Sequence, residues 1–385
     1  MPQVEESSKL RKVPSVISVD GNRWGAQCHT LPIDAKHQFY KILLATEQDR
    51  HRDVQESQHC TAAQDMLNLT GKDAPQVTAE YLTLLWAAVK PRIDEALKVV
   101  MDQNLPNQAS TTVLYEWVFT HPYSWSDLSQ QRLCLAINSS GVTGGLEATP
   151  KMLLTEPEAA LRYLIDQLPN GLRHEANDTG IVCDIGGGTI DSMYYWLKSI
   201  GPWKVRRVQH KPSALQSRWG GGILLDDQFL AWLDRAMSHA GGPYPSGPGG
   251  EPNPKAPSGG ERDAFLKHHW NIIKLKHDEN AAGLDLEIPA TWPDPEARDR
   301  KMRLASKDID TIFQPVLDKI TEILGGQLKM KYNEGINRSR YPRYVFLCGG
   351  VGLNLYVRAH VKRLVERITD GATTVVDIRQ NRDVM

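Results

Sequence analysis

The chain has 385 residues, enough for two domains each with its own core. Its 41% apolar and 24% charged content is that of an ordinary globular protein, and Lys+Arg 45 against Asp+Glu 46 leaves a formal charge of -1. That balance gives no global bias toward nucleic acid or an anionic membrane surface.

No apolar run approaches the roughly 18 to 20 residues that span a bilayer, and the polar stretch Met1 to Arg11 has no signal-peptide core. Cys28, Cys60, Cys134, Cys183 and Cys348 are odd in number, widely spaced and free of CxxC pairs. They read as reduced thiols in a reducing compartment, the cytoplasm before the nucleus, and not as a disulfide framework or a zinc site.

In chain order, residues 1–12 form a polar leader. Region 13–175 begins with a short strand, Ser15 to Val19. A helical tract follows over Val77 to Met101, with a kink or break expected at Pro91, where a backbone donor is missing. Two further strands are predicted at Val113 to Thr120 and Met152 to Thr155. Region 176–385 opens with dense strand signals at Ile181–Ile185, Asp191–Leu197 and Trp203–Gln209.

A helix beginning near Leu225 places Leu225, Phe229, Trp232 and Leu233 on one face. Residues 241–260 are mostly Gly, Pro and Ser and read as a disordered surface insertion. Helical patterns then dominate to Lys331, with Ile309, Ile312, Phe313, Val316, Ile320 and Ile323 as a core-facing stripe. Strands at Tyr344 to Cys348 and Thr373 to Asp377 close the pattern, and the alternation of strands with helices predicts an α/β fold.

One segment stands out: Asp184-Ile185-Gly186-Gly187-Gly188-Thr189-Ile190-Asp191. An apolar strand ends in an acid, passes through three glycines and a threonine, and resumes after a second acid. Glycine permits dihedrals that other residues resist, and successive N–H groups in such a turn make a nest for anions. Carboxylates at both ends suit a magnesium ion and its waters beside phosphates. The plain alternative is a glycine-rich hairpin. No GxxxxGK[ST] occurs, and GxGxxG fits poorly because a strand follows.

Thr155-Glu156-Pro157-Glu158 has the makings of a helix start, with Thr155 as N-cap, Pro157 in the first turn and Glu158 completing a capping box. Leu161, Leu164, Ile165 and Leu168 then form the buried face. Capping leaves Glu156 unexplained. It is either a first-turn residue or a carboxylate that orients a water. Two more glycine-rich turns, Trp219-Gly220-Gly221-Gly222 and Cys348-Gly349-Gly350-Val351-Gly352-Leu353-Asn354, each precede a helix. Three such strand ends are what a cleft-bound nucleotide would require.

In this order the motifs resemble the nucleotide-binding domain shared by actin, sugar kinases and DnaK-type heat-shock chaperones, most closely the divergent chaperone-like proteins without a peptide-binding domain. The resemblance runs from about Val13 to Asp377. It implies an actin/heat-shock-chaperone-like ATPase (ribonuclease-H-like) fold of two lobes, ATP or ADP with Mg2+ as ligand, and client or co-chaperone proteins as partners. Asp184 to Asp191 are similar to the family's second phosphate loop, DLGGGTFD. This makes Asp184 the acid that holds magnesium-bound water, with Asp191 reaching the metal through water, and Gly186, Gly187, Gly188 and Thr189 the phosphate cradle. Glu156 matches the carboxylate that positions the attacking water.

Gly349, Gly350, Gly352 and Asn354 resemble the adenosine turn, where Val351 and Leu353 replace the family's serine and arginine. Lys274 lies in the stretch corresponding to the purine-clasping helix, and Gly220 and Gly221 match a further nucleotide turn. The family's first phosphate loop, DLGTT, has no counterpart in Met1 to Lys12, so the first lobe is expected to be incomplete and hydrolysis weak or absent. A pseudo-ATPase that senses nucleotide or binds proteins is the competing reading. A small-molecule kinase of the same fold is less well supported, because nothing resembles a sugar site.

Overall fold

The computed structural model describes residues 13–104, 115–144, 152–166, 172–200, 203–207, 215–239, 259–290, 292, 300–330 and 341–377. The leader 1–12 and all but the last two residues of the insertion 241–260 lie outside them, as do Val113, Leu168, Gln209 and Lys331. No described helix is long and apolar enough to cross a membrane. Contacts divide the chain into two compact units, Met1–His121 with Trp125–Leu154, and Pro122–Ser124 with Thr155–Met385. The division falls near residue 155 and not at 175, because the helix that starts at Glu156 packs with the strands that follow it.

In the first unit, β1 (Val16–Ser18) pairs antiparallel with β2 (Lys36–Gln38). The helices are α1 (Arg52–Gln55), α2 (Gln58–Thr70), α3 (Ala74–Asn104) and α4 (Asp127–Ser139), and β3 (Val118–His121) forms a two-stranded sheet with β4 (Met152–Thr155). Ile17, Leu44, Leu67, Val77, Tyr81 and Ile137 share one buried cluster. The expected break at Pro91 does not occur: α3 runs through it. Proline leaves the carbonyl four residues back without its donor, but Ala87 is exposed and water can serve it.

The second unit is three-layered. Its sheet has the order β12-β11-β5-β6-β7, with β8 also paired to β6. The members are β5 (Thr179–Ile185), β6 (Thr189–Ile200), β7 (Trp203–Arg207), β8 (Leu215–Trp219), β11 (Tyr344–Cys348) and β12 (Thr374–Asp377). The pairs β5–β6, β6–β7 and β6–β8 are antiparallel, while β11 lies parallel to both β5 and β12. A separate antiparallel pair joins β9 (Leu284–Glu287) to β10 (Lys301–Leu304), two strands within a region whose sequence is dominated by helical patterns.

The helices of this unit are α5 (Glu156–Asp166), α6 (Gly222–His239), α7 (Gly259–Phe265), α8 (Asn271–Lys276), α9 (Ser306–Leu328) and α10 (Leu355–Thr369); a π-helical turn, Leu266–Trp270, joins α7 to α8. Gly259 and Gly260 are thus helical.

Strand alternation divides the sheet's two faces. Ile181, Cys183, Ile185 and Ile190 turn to the face shared with α6, α9 and α10, where Leu225, Phe229, Trp232 and Leu233 and the whole Ile309–Ile323 stripe are buried. Val182, Met193, Tyr195 and Phe346 turn to the opposite face and bury Leu161, Leu164 and Ile165 of α5. With both faces covered, the central strands read as nearly continuous apolar runs.

Candidate functional site

At the end of β5 the chain reverses within the glycine run. Gly186 N–H donates to the Thr189 carbonyl at 2.9 Å, leaving Gly187 and Gly188 as the hairpin tip. Gly187 is exposed, and nothing lies within 4 Å of where its Cβ would stand. No described group accepts the N–H of Gly187 or Gly188. None of Gly186, Gly187 and Gly188 has a positive φ. Unusual dihedrals are therefore not the reason for this glycine run.

Asp184 and Asp191 stand directly opposite each other in the β5–β6 register. Opposed residues of antiparallel strands share a face, with Cβ atoms roughly 5 Å apart, and like charges there repel. Asp191 is 1% exposed and its Oδ2 accepts from the Thr189 hydroxyl at 2.6 Å, so it orients Thr189 from within and does not face solvent water as a water-mediated magnesium ligand would. Asp184 is only partly buried. By alternation both carboxylates lie on the α5 side of the sheet, the side of Val182 and Met193. Glu156 is the first residue of α5, which packs on β5, β6 and β11, and is also partly exposed. Thr155 Oγ1 accepts from the Glu158 N–H at 3.3 Å, as expected of the N-cap.

The other two glycine turns are drawn to this hairpin. From the start of α6, Gly220 N–H donates to the Gly188 carbonyl at 3.0 Å, Gly222 to Gly186 at 3.1 Å, and Ile223 to Gly187 at 2.7 Å. From the turn before α10, Val351 and Gly352 N–H both donate to the Ile185 carbonyl, at 3.0 and 3.2 Å. Left-handed backbone occurs in these two turns, at Gly221 (φ 73°) and Gly349 (φ 79°). A Cβ on Gly221 would stand 2.3 Å from the Gly186 carbonyl oxygen, and one on Gly349 would stand 2.3 Å from Asp184 Oδ1. Gly352 is as tight, 2.1 Å from the Cys348 carbonyl oxygen. The three sequence-distant runs do form one constellation, and Gly350 is its exposed rim.

Lys274 and Asn354 are placed differently from their expected roles as nucleotide contacts. Asn354 is 3% exposed: its Oδ1 caps α10 through the Val357 N–H at 3.0 Å, and its Nδ2 donates to the Lys274 carbonyl at 2.8 Å. Lys274 Nζ lies 2.6 Å from Asp226 Oδ1, which also accepts from Trp270 Nε1 at 2.9 Å. Burial pushes the Asp226 carboxyl up from its ordinary range, against the pull of Lys274. In the sequence, Asp226 is marked only as one of two adjacent acids, Asp226 and Asp227, one turn into a helix, which gives no sign of a functional group.

No known family model matches the chain, and no curated protein matches it.

Proposed function

We propose that the chain binds MgATP or MgADP at the tip of the β5–β6 hairpin, as a member of the actin and heat-shock-chaperone ATPase fold in which hydrolysis is weak or absent. One observation carries this reading: the opposed carboxylates Asp184 and Asp191 bracket a tip whose Gly187 and Gly188 N–H groups meet no acceptor among the described residues. N–H groups that meet no acceptor at a glycine tip suit an anion, and the part-exposed Asp184 carboxylate beside them suits the cation that such an anion carries. A magnesium–phosphate ligand supplies both. The sheet order supports the fold assignment, since antiparallel β5–β6–β7 extended by parallel β11 and β12 is the arrangement of one lobe of that fold.

The residues suit the phosphate end better than the base end. Gly187 and Gly188 would face the phosphates, Asp184 would hold magnesium-bound water, and Asp191 would fix the Thr189 hydroxyl at the rim. Among the described residues, no three His, Cys, Asp or Glu side chains converge as a metal cage, so phosphate oxygens would supply much of the magnesium coordination. Glu156 heads the helix on the same face, where a carboxylate could orient a water. With Asn354 buried and Lys274 held by Asp226, these two side chains offer the base few polar contacts. Such a site is anchored by phosphates and suits a nucleotide sensor as well as a slow hydrolase.

The purified chain is expected to melt at a higher temperature in millimolar MgATP than without it, since ligand at a hundred times Kd adds about 2.7 kcal/mol. Asp184→Ala should remove the shift. A wild-type chain whose melting does not move with MgATP would overturn the reading.

A further inference from the structure

A ring of hydrogen bonds closes around the hairpin tip. The Gly222 and Ile223 N–H groups of α6 hold the carbonyls of Gly186 and Gly187. One helical turn further, about 5.4 Å along the axis, stands Asp226. Its Oδ1 is bound by Lys274 Nζ and Trp270 Nε1, which lie one turn apart where the π-helical turn gives way to α8. The Lys274 carbonyl is bound by Asn354 Nδ2, and Asn354 caps α10. The turn just before Asn354 comes back to the hairpin through Val351 and Gly352, with Gly349 against the Asp184 carboxylate. Three segments far apart in sequence are thereby linked: α6, α8 and the turn before α10. Between α6 and α8 the link is the side-chain pair Asp226–Lys274, with Trp270 beside it, stacked at 4.8 Å on Phe229.

We propose that Asp226 and Lys274 are positioning residues for the phosphate site: their ion pair clamps α8 between α6 and the turn before α10, and so sets the hairpin tip and Asp184 in register. The inference rests on the MgATP reading above. It assigns Lys274 to the frame of the site and removes it from the contact surface. A partly buried pair suits this role, because loss of either partner leaves the other charge uncompensated.

Calorimetric titration of the full chain with MgATP separates the possibilities. Asp226→Asn and Lys274→Gln are each expected to weaken binding about tenfold, and the double variant no further than either single one, as befits two halves of one contact. Amide exchange at Gly222 and Ile223, read without nucleotide, should accelerate in both variants. If Asp226→Asn binds as tightly as wild type or more tightly while Lys274→Gln binds weakly, Lys274 touches the nucleotide itself and the proposal is overturned. Unchanged exchange at Gly222 and Ile223 also overturns it. Should Asp226→Asn fail to fold, Lys274→Gln decides: weak binding with faster exchange supports positioning, and weak binding with unchanged exchange refutes it. If wild type shows no binding while Asp226→Asn accelerates exchange, the clamp stands as a structural device but both the nucleotide reading and the positioning role fall.

Discussion

Gly187 and Gly349 sit in runs that look alike on paper, yet they answer different physical demands. At Gly349 a side chain would meet both left-handed backbone and the Asp184 carboxylate, so Gly349→Ala is expected to cost at least about 2 kcal/mol in denaturant unfolding. Gly187→Ala should stay within about 0.5 kcal/mol, because its φ is ordinary and the space around it is open. Equal costs at the two positions would contradict this account. The three runs are visible in the sequence, where the DIGGGT segment is the one expected to need glycine's backbone freedom. The strained positions are instead where the other two turns press against that segment, and such close approach between segments about 35 and 165 residues apart leaves no mark in local spacing. Asp226 was missed for the same reason: burial beside Lys274 is a property of packing.

Among the elements, those with a strong period or a dense apolar run were legible. The Ile309–Ile323 stripe lies on α9 with every member buried, and Tyr344–Cys348 is β11 to the residue. Short, polar strands were not. β8 (Leu-Gln-Ser-Arg-Trp) and β9 (Leu-Asp-Leu-Glu) lack β-branched residues and exist through their partners β6 and β10. In α3 the local rule failed in the other direction. Proline disfavours a helix interior, but α3 is anchored N-terminal to the defect, where Val77 and Tyr81 are buried and Leu82, Leu85 and Trp86 pack on the core, and the helix continues across Pro91. Pro91→Ala should therefore raise the stability of α3 by about 1 to 3 kcal/mol, seen as a higher melting temperature by far-ultraviolet circular dichroism. A fall in melting temperature would mean that Pro91 has a role its exposed position does not reveal.

Across the whole molecule, acid should act on both units through one buried and two half-buried histidines. Burial lowers the affinity for protons of His37 in the first unit and of His269 and His360 in the second, with Lys72, His268 and Arg367 respectively adding repulsion. Each stays neutral in the folded state at pH values where the unfolded chain has begun to bind a proton. Stability is therefore unaffected well above the ordinary value of 6.5 and declines as pH falls below it, until the folded-state groups also protonate. Urea unfolding between pH 7.5 and 5 should show this slope, and His37→Gln should flatten it for the first unit; an identical slope in the variant would remove His37 from the account. The meeting of the three glycine turns has a different consequence, for anyone who would transplant this site into another scaffold. Segments 184–191, 219–223 and 348–354 supply one another's hydrogen-bond partners, with the Ile185 carbonyl alone receiving two donors. A graft of the DIGGGT hairpin by itself would carry unanswered carbonyls into its host, so the smallest portable module is the trio.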